Sequence, residues 1–257
     1  MVRVVGLALL LSLLLGTAWA KSRRSPPPLE PPAGSQPLTF APPQLTELTL
    51  PVTGLWGVLQ GFGTESHTGY ATFALDFVPA EDRARALPLA SRTSLSDFPC
   101  FGREVLALAP GDVVWAHDGE PDHPPFWPGR HEPGNFVIVQ HGPHELTELR
   151  HLQRGSVTVK VGDRVARGQR LGRCGNSGNA HTPHVHLGLL GELTPLATRP
   201  LRLARYEVLE AGGRWTPGDG TPRTGQVLRS TAAPSIPGAS PPETSVPPAF
   251  DSLPATR

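Results

Sequence analysis

The segment Cys174–Leu190, CGNSGNAHTPHVHLGLL, joins a glycine-rich turn to an apolar run. We predict a β-strand after the proline, because valine and leucine suit an extended, half-buried backbone and turn residues precede them. Side chains two residues apart share one face of a strand, so His184 and His186 should point the same way. Val185 and Leu187 should then face the opposite side. Two imidazoles on one face can hold a metal or move a proton, although an isolated His-x-His is more often a solvated strand face.

Short apolar alternations broken by glycine and aspartate continue through the middle of the chain. No ten-residue window has a helical period, so we predict an all-β, antiparallel sandwich or open barrel with long surface loops. The longest loops are expected at Pro79–Phe101 and Pro121–Pro133. The predicted strands are Leu55–Gly61, Tyr70–Val78, Glu104–Ala109, Val113–Ala116, Asn135–His141, Glu145–Leu152, Val157–Val159, Val185–Leu190 and Leu201–Glu210.

The two ends of the chain differ in composition from this middle. Residues 1–20 have a basic start, an apolar run and a small-x-small site ending at Ala20, as in a cleaved signal peptide. We therefore expect export, to the periplasm or to the extracellular space and cell wall. Residues 21–44 read as a proline-rich linker and 45–211 as the folded domain, followed by a disordered tail over 212–257. No later stretch is apolar enough to predict a membrane span.

The charge of the mature chain excludes some partners. Removing residues 1–20 removes one of 23 basic residues and none of 22 acidic ones, which leaves 22 against 22. Nucleic acids and anionic membranes are bound through strongly basic surfaces, so neither is expected as the main partner.

The two cysteines, Cys100 and Cys174, carry a separate expectation. In an exported protein such a pair can form a disulfide, and two unpaired thiols are the alternative. Neither cysteine belongs to a Cys-x-x-Cys pair, so a zinc site built from them is not expected.

A carboxylate interrupts one apolar strand. In Ala71–Pro79, ATFALDFVP, alternation puts Asp76 on the face opposite Leu75 and Phe77. A carboxylate in a buried strand needs a cation, hydrogen-bond donors or a metal as its partner. His67 lies a short turn upstream and would share a site with Asp76 if the chain folds back. The alternative is a hydrogen-bonded structural aspartate and a surface histidine.

Taken together, these motifs resemble the lysostaphin/LytM family of zinc endopeptidases. The resemblance covers about residues 51–190 and rests on His67…Asp76, NFVIVQHG from Asn135, LRHL ending at Leu152, GNSG from Gly175 and PHVH ending at His186. It implies one zinc ion per chain, held by His67, Asp76 and His186, with His151 and His184 as catalytic groups. Eight residues separate His67 from Asp76 where the family usually has three, which indicates a divergent branch with a longer hairpin.

The resemblance implies hydrolysis of peptide bonds in peptidoglycan cross-links or stem peptides. We expect the protein to be a monomer. A non-catalytic module of the same fold that binds the wall or activates an amidase is the alternative. A serine hydrolase is disfavoured, because Ser177 lacks the Gly-x-Ser-x-Gly spacing of a nucleophile elbow. A biotinyl- or lipoyl-type carrier is disfavoured because no lysine attachment turn is present.

Overall fold

The computed structural model describes residues 43–64, 67–84, 91–129, 133–193 and 197–232. The predicted signal peptide and all but the last two residues of the predicted linker lie outside these ranges, as does 233–257 of the predicted tail. Among the described residues, no helix has both the length and the apolar character needed to cross a membrane.

Short strands dominate the described chain. One short helix, α1 (Ala80–Ala84), and two 3-10 turns, Gly69–Ala71 and Leu95–Asp97, accompany them. The strands are β1 (Leu55–Gln60), β2 (Leu75–Pro79), β3 (Glu104–Leu106), β4 (Gly111–His117), β5 (Asn135–Gly142), β6 (Glu145–Leu152), β7 (Arg164–Val165), β8 (Arg170–Arg173), β9 (Val185–Leu190), β10 (Leu203–Leu209), β11 (Trp215–Gly220) and β12 (Val227–Ser230).

Ten of these strands form one sheet in the order β11-β10-β12-β1-β2-β9-β6-β5-β4-β7, and β3 pairs with β8 in a second sheet. Every pairing between these strands is antiparallel, which confirms the predicted all-β antiparallel fold. The predicted strand Tyr70–Val78 begins only at Leu75, because Gly69–Ala71 forms a 3-10 turn that starts at a glycine with φ +60°. The predicted strand Val157–Val159 is not present, and its two valines pack against the core from a turn-rich segment.

The prediction that the domain ends at 211 and that a disordered tail begins at 212 is wrong for residues 212–232. There, β11 pairs with β10, and β12 lies between β10 and β1. Leu228 of β12 is fully buried, and Arg229 stacks over Trp215 with its guanidinium carbon 4.3 Å from the ring centroid. The composition misleads because β11 and β12 are held by main-chain hydrogen bonds to neighbouring strands, which do not depend on the types of their side chains.

The central strands β2, β9 and β6 are buried on both faces. Leu75, Leu187 and Leu149 are cross-strand partners, and all three belong to the main hydrophobic core. Because side chains alternate between the faces of a strand, the neighbouring residues of these three leucines point to the other face. That second face carries the polar residues of the candidate site.

A disulfide connects the long loop after β2 to the chain beyond β8. Cys100 and Cys174 are bonded, with Cα atoms 5.8 Å apart, and both residues are buried. Cys174 also pairs with Leu152 in an isolated β-bridge, and its amide donates a hydrogen bond to the Arg103 carbonyl. The bridge therefore holds the loop, the end of β6 and the glycine-rich turn from Gly175 together.

Candidate metal centre and active site

The strand register brings three polar side chains abreast. His186 of β9 is the cross-strand partner of Asp76 of β2 on one side and of Arg150 of β6 on the other. His184 lies one residue before β9, two residues from His186, and is also buried. The predicted shared orientation of His184 and His186 is consistent with their contacts, because both imidazoles approach the carboxylate of Asp76.

The Asp76 carboxylate is surrounded by histidines. Its Oδ2 lies 3.1 Å from Nε2 of His67, and its Oδ1 lies 2.9 Å from Nδ1 of His186. Nε2 of His184 is 3.6 Å from the same Oδ1. The structure therefore brings together His67 and Asp76, across the eight intervening residues, with both histidines of the His-x-His motif.

Backbone carbonyls determine the tautomer of three of the imidazoles. Nδ1 of His67 lies 3.0 Å from the Gly61 oxygen, Nδ1 of His151 lies 2.9 Å from the Ser177 oxygen, and Nδ1 of His184 lies 2.7 Å from the Thr182 oxygen. A carbonyl oxygen only accepts hydrogen bonds, so each Nδ1 is the donor. In its neutral form each ring therefore carries a lone pair on Nε2, where it can bind a metal or take up a proton.

This donor set fits a divalent cation. The Nε2 lone pair of a neutral His67 faces a carboxylate oxygen of Asp76, so two acceptors meet unless a proton or a cation lies between them. His186 contributes a second atom that could bind a cation, since its Nε2 is buried and has no hydrogen-bond partner among the described residues. Two imidazoles and a carboxylate are ligands that zinc takes in catalytic sites, where a further position remains open.

Two overlapping groups have ligand atoms close enough to share an ion. One is His67, Asp76 and His186, and the other is His151, His184 and His186, each with its ligand atoms within 4.8 Å of one another. The first group is the ligand set that the family resemblance implies. It alone includes a carboxylate, whose negative charge attracts a cation in a buried site.

Burial and neighbouring charges set the protonation of the site. Burial by itself raises the pKa of Asp76, but the positive charge of His184 and hydrogen bonds from His186 and His67 hold that pKa well below its usual range. Burial by itself lowers the pKa of His67, but the hydrogen bond and charge of Asp76 outweigh it, and the pKa is raised. The pKa of His151 is well below its usual value, first because of burial and then because of His184 and His186.

His151 reaches the site through an irregularity in β6. Leu149 pairs with Val137 and Leu152 with Asn135, so two residues of β6 oppose one residue of β5. His151 lies in this bulge with φ +62°, a left-handed conformation that is uncommon for a residue with a side chain. Its ring comes within 4.9 Å of the His184 ring, measured between centroids.

A buried polar network supports the carbonyl that orients His151. The Ser177 hydroxyl donates to the Leu152 oxygen at 2.7 Å and accepts from the Asn135 amide at 2.9 Å. The Asn135 side chain donates to the oxygens of Glu120 and Leu152 and accepts from the Glu120 amide. A Cβ at Gly134, which has φ +70°, would come within 2.7 Å of the Ser177 oxygen, so glycine is required there.

Asp76 and the four histidines around it line a cavity of about 290 Å³. Arg150 and Tyr70 are in its wall, and the prediction of site residues included neither. The sequence could have predicted Arg150 as a site residue, because alternation after the core residue Leu149 places its side chain on the same face as the predicted site. Tyr70 gave no such signal, because it was assigned to a strand and lies instead in a 3-10 turn.

The chain is similar to known peptidases over part of its length. Residues 95–197 match the model of Peptidase family M23; this range includes His151, His184 and His186 but not His67 or Asp76. The peptidoglycan DD-endopeptidases ShyA and ShyC of Vibrio cholerae are 44% and 40% identical to it, each over 57 residues. Each match covers 22% of this chain and only 13% of the relative. A crystal structure of a putative peptidase M23 from Pseudomonas aeruginosa is 26% identical, with a TM-score of 0.36, over 59% of this chain and 47% of that one.

Proposed function

We propose that the chain is a zinc-dependent endopeptidase acting on peptide bonds of peptidoglycan, on the premise that residues 95–197 match the model of Peptidase family M23. The observation that carries the proposal is the buried Asp76 carboxylate, which lies between His67 and His186. The Nε2 lone pair of a neutral His67 faces this carboxylate. Cross-links or stem peptides of the cell wall are the proposed substrates. The names of the two Vibrio relatives support this substrate class.

We assign His67, Asp76 and His186 as the residues that hold one zinc ion per chain. When bound, zinc supplies Lewis acidity that polarises a peptide carbonyl and makes water a better nucleophile near neutral pH. The hydrogen bond from Nδ1 of His67 to the Gly61 carbonyl orients its ring and makes Nε2 the ligand atom.

His151 and His184 are the proposed catalytic groups. Because Nδ1 of His151 donates to the Ser177 carbonyl, the lone pair of the neutral ring is on Nε2, where it can accept a proton from the attacking water. Burial lowers the pKa of this ring, which favours its neutral form. The ring of His184 lies beside it and has its own Nε2 directed toward Asp76. Once protonated, His184 can donate a hydrogen bond to the oxyanion that forms as the amide carbon becomes tetrahedral.

We further propose that the protein is exported and acts in the periplasm or at the cell wall as a monomer. The signal-like composition of residues 1–20 supports export. The Cys100–Cys174 disulfide supports the same location, since such bridges persist in oxidising compartments.

The test is to purify residues 21–257, measure bound zinc by elemental analysis, and digest purified peptidoglycan with the wild type, His186→Ala and His117→Ala. His117 is outside the cluster and pairs with Glu120, so it serves as the matched histidine control. We expect about one zinc and released peptides from the wild type and the control, and neither from His186→Ala. Zinc binding without cleavage of any wall preparation would instead favour the non-catalytic module.

A further inference from the structure

Arg150 is a cation in the wall of the cavity that the proposed chemistry does not use. It is 7% exposed and sits beside His186 in the sheet. We propose that Arg150 binds a free carboxylate of the substrate on a residue next to the scissile amide, and thereby selects peptides that carry one there. The inference rests on the proposed function, because it names the substrate class of that site.

The guanidinium of Arg150 is held in one orientation. Its central carbon lies 5.2 Å from the ring centroid of Phe136 and 5.8 Å from that of Tyr70, distances at which cation–π attraction operates. Nη2 forms an ion pair with Glu148, which is two residues earlier on the same strand and fully buried. A guanidinium packed against aromatic rings and paired at one edge loses little entropy when a ligand binds its remaining donors.

Donors of Arg150 remain for a ligand. In the described part of the chain, Nε of Arg150 is buried without a hydrogen-bond partner. Because Nε is covered, a ligand in the cavity would meet the donors at the tip of the guanidinium, where the ion pair with Glu148 engages Nη2. Arg150 is also the one lysine or arginine among the described residues that line the cavity, and Asp76 is the one carboxylate. Asp76 is already engaged by three histidines, so Arg150 is the charged side chain in this described cavity wall that the proposed zinc ligation leaves for a substrate anion.

The position of Arg150 sets where that anion would be. Neighbouring strands lie about 4.8 Å apart, so the backbone of Arg150 runs alongside that of the proposed zinc ligand His186. A carboxylate bound there would belong to a substrate residue that forms one side of the scissile amide, or to the next residue along the substrate. A cross-link made to the side-chain amine of a diamino acid has this feature, because the diamino residue can keep a carboxylate on the carbon bearing that amine. A bridge built of internal glycine residues carries no such group.

A purely structural ion pair between Arg150 and Glu148 is the competing explanation. It accounts for the burial of Glu148, and removing one partner of such a pair is strongly destabilising. It does not predict that binding depends on a substrate carboxylate. The two explanations therefore differ in a measurable preference.

The experiment uses two peptides that differ only in a carboxylate or a carboxamide on the residue after the scissile amide, together with non-hydrolysable analogues of both. Binding of the analogues is measured by fluorescence anisotropy, and cleavage of the peptides by kcat/KM. The proteins are wild type, Glu148→Gln and the double variant Glu148→Gln/Arg150→Gln. The double variant avoids leaving Glu148 buried without its partner, and Glu148→Gln is the matched comparison that retains the guanidinium. Because Glu148→Gln also removes one partner of the buried pair, thermal denaturation first establishes that each variant is folded at the assay temperature.

We expect wild type and Glu148→Gln to bind the carboxylate analogue about 10 to 100 times more tightly than the carboxamide, as a charge-assisted hydrogen bond would give. The double variant should bind both equally, and the kcat/KM ratio should fall to about one with it. Equal binding of both analogues by wild type would overturn the inference, even if both peptides are cleaved. A binding preference that depends on Arg150, without cleavage of either peptide, would support the carboxylate site and contradict the proposed peptidase activity.

Discussion

Asp76 and His186 are direct cross-strand partners, and Oδ1 of the aspartate lies 2.9 Å from Nδ1 of the histidine. The two residues are separated by 110 positions in the chain, and the β2–β9 register alone brings them together. A slip of this register by one residue would turn either side chain to the leucine-rich core face. The apolar packing of Leu75 against Leu187 therefore also fixes the geometry of the candidate metal centre.

Asp76→Asn should greatly weaken zinc binding, because the amide keeps the shape of the side chain but removes its negative charge. We expect wall-degrading activity to fall by at least about a hundredfold, with zinc stoichiometry measured in parallel. Asp112→Asn, at an exposed aspartate that pairs with Arg164, is the control and should retain both properties. Full zinc occupancy in Asp76→Asn would contradict the assignment of this carboxylate as a ligand.

His151→Ala and His184→Ala should separate the two overlapping ligand groups. If these histidines act on protons, each variant should lose about 10² to 10⁴ in kcat and still bind one zinc ion. Elemental analysis of the purified variants provides the measurement. Loss of zinc from both variants, with zinc retained in His67→Ala, would instead identify His151, His184 and His186 as the ligands.

Asn135→Ala should destabilise the fold and disturb the orientation of His151. The substitution removes three hydrogen bonds that the Asn135 side chain makes with the backbone of Glu120 and Leu152, and we expect a loss of about 2–4 kcal/mol in the free energy of unfolding. Urea denaturation checks the value. Gln140→Ala, at an exposed position on the same strand, should change the stability little. Similar stabilities for the two variants would contradict the role of the Asn135 network.

Replacing both cysteines by serine should destabilise the protein without changing its zinc ligands. The bridge joins residues 74 positions apart, and closing a loop of that length stabilises a fold by about 4 kcal/mol in the chain-entropy model. Denaturation of the double variant should match that of wild type under reducing conditions. An unchanged midpoint in both cases would show that the bridge contributes little.

Glu145 should make stability depend on pH. Burial by itself raises its pKa, but donors from Thr46 and from the Leu45 amide outweigh it, and the pKa is lowered. A carboxyl with a lowered pKa in the folded state stabilises the protein above its ordinary pKa, and this stabilisation is lost as the pH falls through the folded-state value. The stability difference between wild type and Glu145→Gln should therefore shrink from pH 7 towards about pH 3.

Glu104→Gln, at an exposed glutamate that pairs with Arg170, is the control for that pH series. Denaturant midpoints measured at each pH provide the comparison. A difference between wild type and Glu145→Gln that stays constant down to acidic pH would rule out this role for the carboxylate.

Local sequence determined the strand character of the middle of the chain and the faces of its strands. Leu75 and Leu187 face the core, so alternation places their neighbours Asp76 and His186 on the opposite face of each strand. The sequence shows this because the two-residue repeat of a strand is visible in a few consecutive residues. The limits of β6 and β9 were also predictable from their apolar runs and flanking turns.

Only the tertiary structure decided which of those residues meet. The contact between His67 and Asp76 depends on how the turns between them fold back, and the position of His151 depends on a bulge and a positive φ that alternation does not predict. Strands β11 and β12 were missed because their hydrogen bonds come from β10 and β1, and their own composition is that of a loop. Sequence determined the face of each side chain through local periodicity, whereas register and long-range pairing, which depend on distant partners, determined the site.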